Sequence, residues 1–178
     1  MSDTRSDAQA TKPDAPQATK PDAPQATKPG GASPVRHRTG ILPSQAIRAL
    51  IKSGEIAADV DILDDQIQPA SLDLRLGRVA HRVQASFLPG NTETVADKLS
   101  KLGLHQLDLI EGAVLEKGCV YVVPLMERLA LGAGVSGIAN PKSSTGRLDI
   151  FTRLITDHGV EFDRVRGEYT GPLYAEIS

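Results

Sequence analysis

Cysteine is almost absent from this sequence, tryptophan is wholly absent, and the other aromatic residues amount to three tyrosines and three phenylalanines in 178 positions. With Cys119 alone no internal disulfide can form, which suits a reducing cytoplasm, the expected location. The four histidines, His37, His81, His105 and His158, show no paired ligand spacing, and with one cysteine a thiolate-rich zinc site cannot be assembled within one chain. No stretch approaches the roughly 18–20 apolar residues of a membrane span. The start, MSDTRSDAQA, has no apolar segment of the kind a secretory signal needs. Charge of one sign is lacking too. The formal net charge is -2, with six basic against four acidic residues in the first forty positions, so neither part resembles an electrostatic nucleic-acid binder. Glycine-rich dinucleotide and P-loop fingerprints are missing.

Proline, by contrast, is unevenly spread. Six of the twelve prolines fall in residues 1–40, where ATKPDAPQ occurs twice in succession and is followed by ATKPGGAS. Proline removes backbone donors, and no large apolar side chain is present to offset the entropy of ordering. Residues 1–40 are therefore expected to be a disordered tail, dispensable for chemistry. Residues 41–178 are left to form a single small domain.

Within that domain, SQAIRALIKSG predicts a helix with Ser44 as N-cap and Gly54 as its left-handed end. In QIQPASLDLRLG, Leu72, Leu74 and Leu76 alternate with polar residues, which predicts a strand with one buried face. Further strands are expected at RVAHRVQASFL, LHQLDLI, CVYVVPL, GVSGIAN, DIFTRLIT and GPLYAEIS, with VADKLSKLG as one or two helical turns. Cys119, in an apolar run, is most simply a small core residue. The pattern is mainly β, a sandwich or barrel with a short N-terminal helix.

Three places could carry chemistry. In Asn140-Pro141-Lys142-Ser143-Ser144-Thr145-Gly146-Arg147, Asn followed by Pro signals a helix start, and Ser143 and Arg147 would share a face. Free N–H groups, Lys142 and Arg147 there suit an anion, although a polar surface turn reads equally well. In GPLYAEIS, Leu173 and Ala175 share one strand face and Tyr174 and Glu176 the other. Glu176 is either an edge charge or a placed acid–base group. Asp163, in a loop, and Glu127, after a strand, are each open between a structural and a functional role.

Taken in order, QIQPASLDLRLG, LEKGCVYVVPLMERLAL, ANPKSSTGRLDIFTRLITD and GEYTGPLYAEIS resemble the dCTP deaminases, in particular the longer form of that family, over roughly residues 41–178. The resemblance implies a dUTPase-like β-sandwich or barrel of the β-clip type, assembled as a homotrimer with sites between subunits. It implies hydrolytic conversion of dCTP to dUTP and ammonia, without zinc and with magnesium accompanying the triphosphate. The H-x-E and P-C-x-x-C motifs of the zinc deaminases are indeed missing.

By motif position the resemblance makes Glu176 the base, with Ser143 and Arg147 orienting it and the water. Lys142 and Ser144 would contact phosphates, Thr156 and Asp157 would lie near the base and Asp163 near the sugar. The rival on the same fold is dUTP diphosphatase, alone or combined with deamination; Glu176 favours deamination. A non-catalytic nucleotide-binding protein is the rival of another class. Family members continue beyond the glutamate with further strands. A chain ending at Ser178 therefore reads as a truncated form, expected to be inactive and poorly assembled alone.

Overall fold

A computed structural model describes residues 40–178. The proline-rich repeat lies in residues 1–39, outside the described residues. In chain order the elements are α1 (Ser44–Ser53), β1 (Ile56–Ala58), a 3-10 turn (Asp64–Gln66), β2 (Val79–Val83), α2 (Val95–Leu102), β3 (Gly103–Asp108), β4 (Val120–Ala130), β5 (Gly137–Ile138), α3 (Ser143–Gly146), β6 (Thr152–Thr156), β7 (Arg164–Val165) and β8 (Thr170–Ile177). The main sheet is antiparallel in the order β3-β2-β4-β8-β6, with β1 also paired to β4. A separate small sheet joins β5 to β7. Among the described residues no helix is long and apolar enough to cross a membrane.

Alternation along β4 and β8 divides the core between the two faces of the sheet. Val122 and Tyr174 pack on one face with Val83, Phe87, Val95 and Ile155. Tyr121, Val123, Ala175 and Ile177 pack on the other with Ala80, against the half-buried Cys119. Leu173 lies further along that second side, with Leu131, Leu154 and Val165. Helix α2 covers the first face. Its Thr94 side chain accepts from Asp97 N–H at 3.1 Å, and Asp97 accepts from Thr94 N–H at 2.9 Å, a reciprocal cap.

Helix α1 ends as expected, with Gly54 left-handed at φ 82, but Pro43 holds the N-cap position and Ser44 is the first helical residue. The segment SLDLRLG departs further from expectation. It makes only isolated bridges, Ile67 to Leu72 and Leu76 to Leu125, and its polar positions are the anchored ones while Leu74 and Leu76 stay exposed. The cause is Glu127. It lies inside β4 rather than after it and is fully buried. Its Oε1 accepts from Arg75 Nε at 2.9 Å and Gln66 Nε2 at 3.0 Å, and its Oε2 accepts from the Arg75 backbone N–H at 2.9 Å. Arg75 in turn donates to the carbonyls of Asp61 and Val60, each at 3.1 Å. A fully bonded buried carboxylate thus replaces strand pairing as the hold on residues 60–75. Gly77 completes the segment: its N–H reaches Pro124 O at 2.7 Å, and a Cβ there would meet that oxygen at 2.6 Å.

Glu127→Ala should therefore cost about 3–5 kcal/mol, because it strands Arg75 and Gln66 without their shared acceptor. Urea melting of the variant against the parent measures this; a loss below about 1 kcal/mol would mean the network contributes little.

Candidate active site

Strands β4, β8 and β6 bring Val122, Glu176 and Arg153 into one cross-strand row, continued by His81 on β2 and Gln106 on β3. Residues opposite each other in an antiparallel pair share a face, so Glu176 projects on the side of Val122 and Tyr174. It is 2% exposed. The Oε1 atom accepts from Arg153 Nε at 3.1 Å and from Arg153 Nη2 in a shorter contact. The Oε2 atom is buried and has no hydrogen-bond partner among the described residues.

Arg153 is itself fixed from several sides. Its Nη2 donates to Ser86 Oγ at 2.8 Å, and its guanidinium carbon lies 3.8 Å from the Phe162 ring centroid and 5.2 Å from that of Phe151. Beside them on this face, burial pushes the Tyr174 phenol up to about 12, with the Asp157 charge adding to the effect, so it stays neutral at physiological pH. Partial burial lowers His81 from its ordinary value, which favours the uncharged ring.

The polar cluster Lys142–Arg147 makes no hydrogen bond or ion pair with Glu176 or Arg153 among the described residues. The helical turn begins at Ser143, two residues later than the Asn-Pro signal predicts, and spans only Ser143–Gly146. Ser143, Ser144 and Arg147 are exposed. Arg147 N–H donates to Ser143 O at 3.1 Å, which places the two residues one turn apart. Among the described residues none of these three side chains has a hydrogen-bonded or ion-paired partner. Lys142 Nζ reaches Asp73 Oδ2 at 2.6 Å, tying this turn to the SLDLRLG segment.

The remaining expected residues lie at the end of β6 and in the turn beyond it. Thr156 is buried at the end of β6. Asp157 Oδ1 accepts the first N–H of α2, from Val95, at 2.7 Å, and its own N–H donates to Tyr169 Oη at 3.1 Å. Asp163 is left-handed at φ 61 and acts as a one-residue partner for the outer edge of β6: Leu154 N–H donates to its Oδ1 at 2.7 Å and its N–H donates to Leu154 O at 2.9 Å. A non-glycine residue held in that region by surrounding bonds is a feature common at functional sites.

Within one chain, then, hydrogen bonds join Glu176, Arg153 and Ser86, while Lys142 is bonded to Asp73 and Ser143, Ser144 and Arg147 lie exposed on their turn. Arg153, Ser86 and the aromatic pair are absent from the sequence reading. Opposite charges on two strands, Arg153 and Glu176, were the available signal, but only the β6–β8 register makes them partners.

The model of the 2'-deoxycytidine 5'-triphosphate deaminase N-terminal domain matches residues 38–178. The chain belongs to this family. A solved structure of 2'-deoxycytidine 5'-triphosphate deaminase from Agrobacterium tumefaciens is 61% identical, with a TM-score of 0.76 over 78% of this chain. The match spans 41% of that protein's length. The mainly antiparallel architecture expected for a dCTP deaminase family member is thus present, and the chain resembles that relative in both sequence and fold.

Proposed function

We propose that the protein hydrolyses dCTP to dUTP and ammonia, acting in the cytoplasm on the deoxynucleotide pool. The observation that carries this reading is the buried carboxylate of Glu176, bonded at one oxygen and, among the described residues, unpartnered at the other. A desolvated oxygen with an open lone pair is suited to take a proton from a bound water.

The chemistry needs one carboxylate used repeatedly. Oε2 removes a proton from water as the water oxygen bonds to C4 of the cytosine ring, and N3 receives that proton. The hydroxyl proton of the tetrahedral intermediate then passes through Glu176 to the amino nitrogen. As the C4–N bond breaks, ammonia leaves and the C4 carbonyl of uracil forms. Magnesium would come as part of the substrate, where it would neutralise charge on the triphosphate. Lys142 and Ser144 are assigned to phosphates, Ser143 and Arg147 to the water and the glutamate. Thr156 and Asp157 flank the base through their backbone, and Asp163 lies near the sugar.

The exposed turn carrying Ser143 and Arg147 supports completion of the site by a second copy, in a homotrimer. Leu148 and Phe151, 72% and 55% exposed, flank that turn with apolar surface of the sort that subunits bury.

The test is product analysis in a protein extended to the full length of its relatives. Equimolar ammonia and dUTP are expected from dCTP. Pyrophosphate released from dUTP with no ammonia from dCTP would favour the diphosphatase instead.

A further inference from the structure

We infer that Arg153 is a positioning residue that selects which oxygen of Glu176 meets the reacting water. This rests on reading Glu176 as the base. Both Arg153 bonds, from Nε and Nη2, converge on Oε1, so rotation of the carboxylate about its axis would break two charge-assisted bonds together. The guanidinium cannot follow such a rotation easily, because Ser86 Oγ holds Nη2 at 2.8 Å and the Phe162 ring lies 3.8 Å beneath it.

A carboxylate held only for stability would be bonded at both oxygens, as Glu127 is. Glu176 differs: Oε2 is left buried and bare, at a cost that folding alone does not require. The Arg153 clamp therefore holds Oε2 in one fixed direction. A lysine at this position keeps the charge but offers a point donor in place of a fork, so it preserves neutralisation while losing the orientation. The aromatic plane of Phe162 likewise suits a flat guanidinium better than an ammonium.

The test uses Arg153→Lys, Arg153→Ala and Glu176→Gln in the protein extended to its relatives' length, with kcat and KM for dCTP separated. Arg153→Lys should melt near the parent temperature yet lose about a hundredfold in kcat, the scale expected when a reacting group is misplaced by an ångström. KM should move by less than about threefold, since Arg153 contacts Glu176 rather than nucleotide. Arg153→Ala should lose at least as much kcat and regain part of it on addition of guanidinium ion. Should the alanine variant not fold, the lysine variant decides. Unchanged kcat in Arg153→Lys, or a raised KM with kcat intact, overturns the inference while an inactive Glu176→Gln leaves the base assignment standing. Turnover surviving in Glu176→Gln overturns the base assignment and this inference with it.

Discussion

Glu176→Gln is expected to end ammonia release from dCTP while nucleotide binding survives. The change is nearly isosteric. The glutamine carbonyl can still accept from Arg153, so the side chain keeps its place between β4 and β6. What is lost is the ability of the second terminal atom to take a proton. General acid–base catalysis by a positioned side chain contributes about 10²–10⁴-fold, and here a single group handles every transfer, so the loss should sit at or beyond the upper end. The KM or binding constant should change far less, because Glu176 meets the base rather than the triphosphate in this reading. Calorimetric titration with dCTP and a coupled ammonia assay measure the two quantities separately. A variant retaining turnover within about tenfold of the parent would show that another group is the base.

That glutamate was legible because its strand is. In GPLYAEIS the apolar positions alternate, and the structure keeps the expected split, with Leu173 and Ala175 on one side and Tyr174 and Glu176 on the other. Local signals served equally well at Gly54, whose left-handed turn ends α1, and at the apolar run that became β4. They failed in SLDLRLG. Its alternation is real, but the buried partner of its polar residues is Glu127, 52 residues from Arg75, and a local pattern cannot reveal an acceptor so distant in the chain. A buried carboxylate outweighs three leucines of alternation because leaving it unbonded would cost more than exposing Leu74 and Leu76.

Arg153 was hidden for the same reason. Its partner lies 23 residues away, and its importance depends on β6 pairing beside β8 in one register. Asp157 and Asp163 show a different limit. Each is a polar residue near a turn, as expected, but the backbone N–H groups they accept from, Val95 and Leu154, belong to geometry that exists only once the sheet has formed.

That no bond joins Glu176 to the exposed Ser143–Arg147 turn among the described residues leads to the second large effect. If one copy supplies the glutamate and its neighbour the arginine, Glu176→Gln and Arg147→Ala should each be inactive alone and regain activity when mixed. In a cyclic trimer assembled at random from equal amounts, roughly 25% of sites would pair an intact Glu176 with an intact Arg147 from the adjacent copy. Arg147 makes this test favourable because it is exposed and removing it strands no buried partner among the described residues. The alanine variant should therefore fold and exchange subunits normally. The measurement is ammonia release after co-refolding the two variants, with each variant refolded alone as the control. Recovery approaching a quarter of parental activity supports a shared site. Absence of recovery in mixtures that demonstrably contain mixed trimers would mean that both residues act within one chain. Glu176 and the turn would then have to approach each other by a rearrangement of α3, for which the short helix and the left-handed Asp149 at φ 59 beyond it are the place to look.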